Sequence, residues 1–105
     1  MKRFIITYTY RLDDASVDAW HRRVAEFISA LESDAQLKGR VTYRCMKTRD
    51  RSVYYHLAEA QDDEAIQLLV GRDFFKRYTE ETKRVAGGEV EVSPLVTIAE
   101  THGAA

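Results

Sequence analysis

The sequence has few of the residues and segments that mark several protein classes. Cys45 is the only cysteine among 105 residues, so no internal disulfide can form, and a reducing compartment is favoured. No apolar run approaches the roughly 20 residues that a membrane helix needs. The apolar start of the chain ends at residues 7–10, too early for a signal peptide. We therefore expect a cytoplasmic protein with no membrane partner.

An excess of charge of one sign is also lacking. Sixteen Lys and Arg residues balance 17 Asp and Glu residues to a net charge of −1, and the two signs alternate along the chain. Electrostatic attraction to nucleic acid is therefore not expected. The three histidines and Cys45 have no metal-ligand spacing, and no nucleophile motif or phosphate-binding glycine loop is present. The sequence thus predicts neither a metal nor another cofactor.

The composition is that of one folded domain. Hydrophobic residues make up 45% of the chain and charged residues 31%, as in soluble globular proteins. A chain of this length can bury a core without disulfides or metals. We expect a single domain over residues 1–100, followed by a flexible C-terminal tail over residues 101–105.

The period of the apolar residues predicts four strands. The predicted strands are residues 3–11, 41–48, 53–60 and 89–100. In the first strand Phe4 and Tyr8 share one face and Ile5 the other. Pro94 cannot donate to a ladder, so the last strand is expected to have a bend, a bulge or an unpaired edge there.

Two helical regions separate the strands. The first follows Ser16 as its N-cap, ends before Gly39 and buries an apolar stripe. The stripe consists of Val17, Trp20, Val24, Phe27, Ile28 and Leu31. The second region begins at Asp62 or Asp63, is interrupted at Gly71, resumes with Asp73 as its cap, and ends at residues 87–88.

The order β-α-β-β-α-β predicts an α+β fold of the ferredoxin-like kind. Four antiparallel strands form one sheet, with the helices on one face. The other face would be uncovered and would include Ile5. An uncovered, partly apolar sheet face usually finds a partner, so we expect a homodimer formed through this open face. The pattern does not decide which parity of the other strands faces the helices.

Aromatic side chains are dense in the strands and helices that should face each other. They either fill the core or bring hydroxyls and an imidazole to a small-molecule cavity. His56, in the middle of the third strand, is the most interesting of these residues, although a histidine there is more often a core or dimer-interface residue than a catalyst. His21, beside Trp20, has the same two interpretations. Arg44 and Cys45 alternate, so one of them must face inward.

Two segments resemble the antibiotic biosynthesis monooxygenase (ABM) family. Residues 60–66 (AQDDEAI) are similar to the point where a strand leads into the second helix, and residues 71–78 (GRDFFKRY) to the resumption of that helix after a break. The resemblance implies a dimeric α+β barrel with a pocket between sheet and helices in each subunit. It also implies oxygenation of quinols, anthrones or similar small aromatic molecules without metal or flavin.

The resemblance turns the aromatic set into a candidate site. A His or Tyr in such a pocket can take or hold a phenolic proton if its pKa lies near working pH. His56 and Tyr8 are the candidate catalytic residues. The candidate substrate-binding residues are Tyr10, Trp20, His21, Tyr54, Phe74 and Tyr78.

The chain also departs from the family pattern. The Asn, Trp and His used by the haem-degrading branch align with Tyr8, Leu69 and Thr79, which argues against haem degradation. The Trp typical of the monooxygenases in the second helix is missing as well. Two alternatives stay open: a non-catalytic module for small-molecule binding or dimerisation, and an isomerase with His56 or His21 as proton carrier.

Overall fold

The computed structural model describes residues 1–103, and it contains four strands and three α-helices. A 3-10 turn, Asp14–Ser16, precedes the first helix. The strands are β1 (Lys2–Thr9), β2 (Val41–Lys47), β3 (Val53–Ala60) and β4 (Glu91–Leu95), and the helices are α1 (Val17–Ser33), α2 (Asp63–Val70) and α3 (Asp73–Val85). The second helical region is thus two helices, broken at Gly71 as predicted.

The four strands form one antiparallel sheet in the order β2-β3-β1-β4. Strand β3 lies between β1 and β2, and β1 lies between β3 and β4, which is the split β-α-β arrangement. The α+β, ferredoxin-like prediction is therefore confirmed. Because β4 pairs only with β1, Pro94 lies on an edge strand, opposite Phe4.

The register shows which side chains face the helices. Tyr8 lies opposite Tyr54, and His56 lies opposite Cys45, all on the helix-covered face. On the open face Leu57 lies between Ile5 and Arg44. Cys45 therefore points inward and Arg44 outward.

The last strand is shorter than predicted. It ends at Leu95, and residues 96–103 are in neither helix nor strand. Val96 is 83% exposed and Ile98 92% exposed, so the alternating apolar pattern of this segment does not reflect burial in this chain. The predicted tail includes residues 104 and 105, which lie outside the described residues.

The helix caps differ from two predictions. The side chain of Asp13 accepts a hydrogen bond from the backbone N–H of Ser16, so it caps the 3-10 turn, while the Ser16 hydroxyl donates to the Asp13 carbonyl at 2.8 Å. Asp62 caps α2 by accepting from Ala65 N at 2.9 Å. Asp73 is already the first helical residue of α3, so its side chain does not cap the helix. Its negative charge at this end still interacts favourably with the helix dipole.

The core lies between the helices and the covered face of the sheet. Trp20, Val24, Phe27 and Leu31 of the α1 stripe are buried as predicted. Tyr78 and Val85 of α3 are buried in the same layer, and the Tyr78 ring stacks on the rings of Trp20 and Phe27. Arg23 Nε donates to both carboxylate oxygens of Glu81, at 2.8 and 2.9 Å, and this pair joins α1 to α3.

Candidate functional site

A buried hydrogen-bond network surrounds His56, which is fully buried in β3. Its Nε2 atom lies 2.7 Å from the Tyr8 hydroxyl. On the other side of the ring, Nδ1 lies 2.5 Å from the Tyr43 hydroxyl and 3.2 Å from the Tyr78 hydroxyl. Three hydroxyls from β1, β2 and α3 therefore converge on one imidazole.

The network extends to α1 through Trp20. Its indole N–H donates to the Tyr8 hydroxyl at 3.0 Å. The Trp20 and Tyr78 rings are nearly parallel, with their centroids 5.8 Å apart, and lie beside the network. Packing and hydrogen bonds together hold the imidazole in one orientation.

Burial sets the protonation state of this cluster. It lowers the pKa of His56 to about 4, because the imidazolium would lose its hydration. It raises the pKa of the Tyr8, Tyr43 and Tyr78 hydroxyls, since the phenolate anions would be desolvated. At neutral pH the cluster therefore consists of one neutral imidazole and three neutral phenols.

A cavity of about 370 Å³ adjoins the network, between the sheet and helices α2 and α3. Its walls are almost wholly apolar, and Tyr43 and Tyr78 belong both to these walls and to the network. The lining residues are Phe4, Ile6, Val41, Tyr43, Ala58, Glu59, Ala60, Ile66, Leu69, Val70, Phe75, Tyr78, Thr79, Thr82, Lys83, Val90 and Val92. A cavity of this size and lining suits a small aromatic or aliphatic molecule.

The structure brings only some of the predicted site residues to this cavity. Tyr78 lines it directly. His56 does not line it and is connected to it only through Tyr43 and Tyr78. Tyr8 lies one hydrogen bond farther along the network, and Trp20 two.

The other predicted site residues lie away from the cavity. His21 pairs with the Tyr54 hydroxyl at 2.7 Å beside Cys45, where burial raises the pKa of the thiol to about 11. Tyr10 hydrogen bonds to the Ser16 hydroxyl, and Phe74 packs against Phe27 with ring centroids 5.9 Å apart.

Tyr43 belongs to the site but was not among the predicted residues. It lies on the covered face of β2, opposite Ala58 of β3. The sequence contains a signal for this, because Ala58 and Ala60 are the small residues on that face and leave space beside Tyr43. Using that signal requires the strand register, which the sequence did not provide.

Two wider features bear on the function. Within residues 1–103 no three side chains of His, Cys, Asp or Glu come together as a metal site would require. No helix in the same range is both long and apolar enough to cross a membrane.

Comparisons with known proteins find likeness in structure only. No family model matches the sequence, and no curated protein matches it. One similar solved structure is an antibiotic biosynthesis monooxygenase, with 11% identity, a TM-score of 0.74, and coverage of 94% of this chain and 100% of that chain. Another is a variant of SnoaB, a cofactor-independent oxygenase from Streptomyces nogalater, with 13% identity, a TM-score of 0.71, and coverage of 97% of each chain.

A third similar structure is Rv0793 from Mycobacterium tuberculosis, with 13% identity, a TM-score of 0.73, and coverage of 94% of this chain and 96% of that chain. Identities this low establish a common architecture and leave the chemistry to be argued from the site. The chain therefore has the ABM-like fold that the two segments after β3 and after Gly71 predicted.

Proposed function

We propose that the chain binds a small aromatic molecule of the quinol or anthrone type in the cavity and oxygenates it without a cofactor. The observation that supports this most is an apolar cavity lined in part by Tyr43 and Tyr78, whose hydroxyls bond to His56 behind the wall. The likeness to SnoaB, a cofactor-independent oxygenase, favours the same reaction class.

The reaction needs a substrate that supplies its own electrons. A ring CH₂ group of an anthrone becomes C=O, one oxygen atom of O₂ ends in the product, and the other ends in water. The substrate must first be ionised, because its anion transfers an electron to O₂ far more readily than the neutral molecule does. A dry wall with hydroxyl donors stabilises that anion through hydrogen bonds.

The tyrosines and the histidine would divide this work. Tyr43 and Tyr78 would hold the oxygen on which negative charge develops. His56, neutral because of its lowered pKa, would hold a proton only while the substrate anion lies close to the network. Tyr8 would keep the imidazole in place through its hydrogen bond to Nε2.

The proposal can be tested by thermal shift followed by oxygen uptake. A ligand at 100 times its Kd adds about 2.7 kcal/mol, which raises the Tm of a domain of this size by roughly ten degrees. We expect such a shift with anthrones or quinols, and O₂ uptake equal to the substrate consumed. In His56→Ala the loss of turnover, expressed as an increase in activation free energy, should exceed the loss of unfolding free energy. No O₂ uptake with any compound that binds would contradict the oxygenase.

A second function, a non-catalytic binding module, has one observation in its favour. Among the described buried side-chain oxygen and nitrogen atoms, only Thr48 Oγ1 lacks a partner, and it lies outside the cavity. A catalyst needs a polar group that is free to act on the substrate, and this wall offers no unpaired one. Ligand-induced stabilisation without O₂ uptake would favour this module.

We also propose that two copies of the chain pair through the open sheet face. This face carries Ile5 and Leu57 at its centre, with Met46, Tyr55 and Leu95 nearby and between 37% and 43% exposed. An apolar face of this kind loses free energy when it is withdrawn from water. Sedimentation should give the mass of a dimer, and Leu57→Lys should give a monomer. A wild-type monomer at micromolar concentration would contradict the pairing.

A further inference from the structure

We propose that Trp20, Tyr8 and Tyr54 form a one-electron relay that carries an oxidation from the core to the surface beside His21. The oxidant would be an organic radical held in the cavity, and the reductant would be a small thiol or ascorbate in solution. Trp20, Tyr54 and His21 have no part in the proposed oxygenation. The relay in turn does not require the chain to oxygenate any substrate.

Two tyrosines in the core are each paired with a histidine. The Tyr8 hydroxyl lies 2.7 Å from Nε2 of His56, and the Tyr54 hydroxyl lies 2.7 Å from Nε2 of His21. A phenol loses an electron far more readily when a base takes its proton at the same time, because the oxidised phenol is a very strong acid. Each tyrosine therefore has beside it the proton acceptor that oxidation requires.

The rings of the relay are in close and ordered contact. The Tyr8 and Tyr54 rings are parallel to within 3°, with their centroids 5.2 Å apart. The indole N–H of Trp20 donates to the Tyr8 oxygen at 3.0 Å. Because an indole N–H can only donate, the Tyr8 hydroxyl gives its own proton to Nε2 of His56. Electrons cross contacts of this kind readily, so the three side chains are coupled in series.

The relay begins one ring away from the cavity. Tyr78 lines the cavity, and its ring is parallel to that of Trp20 to within 10°, with the centroids 5.8 Å apart. A radical in the cavity can therefore draw an electron from Trp20 across the Tyr78 ring. This transfer needs contact with the ring alone, so the apolar wall of the cavity does not prevent it.

Burial gives the relay its direction. His56 is fully buried and has a pKa of about 4, so it holds the proton of an oxidised Tyr8 poorly. His21 is exposed, and a proton that it takes from Tyr54 can pass on to water. Oxidised Tyr54 is therefore lower in free energy than oxidised Tyr8, and the radical comes to rest on Tyr54.

The outer end of the relay opens on a surface groove. His21 and Tyr54 both line this groove, which has a volume of about 300 Å³ and lies between α1 and the strands β2 and β3. The Tyr54 side chain is only 2% exposed, so its radical is shielded from bulk solvent. A thiol or ascorbate fits a groove of this volume and can reach the His21–Tyr54 pair.

Electrons and protons balance over one cycle. The radical in the cavity gains one electron and becomes an anion. Tyr54 loses one electron to the relay and its hydroxyl proton to His21, which passes a proton to water. A thiol in the groove then returns one electron and one proton to Tyr54 and leaves as a thiyl radical.

The oxidation can be started at a known position, because Trp20 is the only tryptophan in the chain. Ultraviolet light that tryptophan alone absorbs excites it, and chloropentaamminecobalt(III) removes one electron irreversibly. We expect the transient absorption of the indole radical to decay as that of a tyrosyl radical rises. Rapid freezing should trap the tyrosyl radical for electron paramagnetic resonance. An indole radical that yields no tyrosyl radical would overturn the inference.

A matched pair of variants locates the radical. Tyr54→Phe should remove most of the tyrosyl signal and lengthen the lifetime of the indole radical. Tyr55→Phe removes the neighbouring hydroxyl on the open face and should behave as the wild type does. Circular dichroism shows that each variant folds. A tyrosyl signal as strong in Tyr54→Phe as in the wild type would overturn the inference.

His21 provides a readout that packing alone would not change. His21→Ala should lower the yield of the tyrosyl radical, and imidazole added to the solution should restore it. Glutathione should shorten the lifetime of the radical in proportion to its concentration. An unchanged yield in His21→Ala, a loss that imidazole does not restore, or a lifetime that glutathione leaves unchanged would overturn the exit at His21. These outcomes are independent of O₂ uptake with anthrones, which tests the proposed function separately.

Discussion

The layer between the sheet and the helices has two halves of different character. Under α1 this layer is filled with stacked rings. The ring centroids of Phe27 and Tyr78 are 3.9 Å apart, and those of Tyr8 and Tyr54 are 5.2 Å apart. Under α2 and α3 it holds the 370 Å³ cavity with mostly aliphatic walls. Tyr78 belongs to both halves. The difference shows that stacked aromatic rings fill the space under α1, whereas small residues such as Ala58 leave space open under α2 and α3.

The largest expected effect is on the stability of the filled half. Phe27→Ala should lower the free energy of unfolding by about 3–5 kcal/mol, because a fully buried ring leaves a hole that its neighbours cannot close. Ile66→Ala, in the wall of the cavity, should cost only about 1–2 kcal/mol, since that side chain already borders open space. Urea unfolding of both variants measures the difference, and equal losses would erase the distinction between the halves.

The next effect concerns pH and the boundary between the halves. His56 has a pKa of about 4 when folded and 6.5 as a free residue, so the unfolded chain binds the proton first as pH falls. Stability from this residue is complete above pH 6.5 and falls progressively down to about pH 4. The total loss is roughly 3 kcal/mol.

Urea unfolding between pH 7 and pH 4 measures that loss. In His56→Gln the slope over the same range should be much flatter, although the variant starts from a lower stability. An identical slope in the variant would place the acid sensitivity elsewhere.

A third effect is confined to the half that holds the cavity. Ala58→Leu should fill part of the cavity and weaken binding of a tricyclic aromatic ligand at least tenfold, which corresponds to about 1.4 kcal/mol. Its stability should change by less than about 1.5 kcal/mol, because the added methyl groups enter existing space. Ala25→Leu, on the exposed surface of α1, is the control and should bind as the wild type does. Unaltered binding in Ala58→Leu would move the ligand out of this cavity.

The smallest effect concerns the ion pair between Arg23 and Glu81, which joins α1 to α3 above the half filled with rings. Glu81→Gln should cost about 0.5–1 kcal/mol, because it breaks a partly exposed ion pair with Arg23. The Arg23 guanidinium also lies 5.8 Å from the centre of the Tyr78 ring, and that contact survives the change. Ligand affinity should stay the same. A loss of affinity larger than the loss of stability would show that this pair supports the cavity as well.

Much of the fold could be predicted because it depends on local patterns. Strand β3 was predicted with its observed bounds. The cap of α2, predicted at Asp62 or Asp63 and found at Asp62, and the break at Gly71 follow from residue types that favour those conformations. The last strand was predicted too long, since Val96 and Ile98 alternate as strand residues do. Nothing in the described chain pairs with them, and alternation by itself forms no hydrogen bonds.

The site was less predictable because it depends on register. The alternation within each strand could be predicted, but the hydrogen bond between His56 and Tyr8 requires β1 and β3 to pair with Ile6 opposite His56. The share of Tyr43 in the site depends on a second register, which pairs it with Ala58. Helix positions, strand order and both registers must be known before a cavity can be located.

The edge position of β4 has a further consequence, for how binding in the cavity can be detected. Five residues of β4 pair with β1 on one side only, Pro94 contributes no N–H, and Val92 forms part of the cavity wall. Such a strand opens by local unfolding at a lower free energy than the central strands do. Amide hydrogens of β4 should therefore exchange faster than those of β1 and β3, and a ligand against Val92 should slow them. Occupation of the cavity would then be recorded in the exchange rates of one short strand at the edge of the sheet.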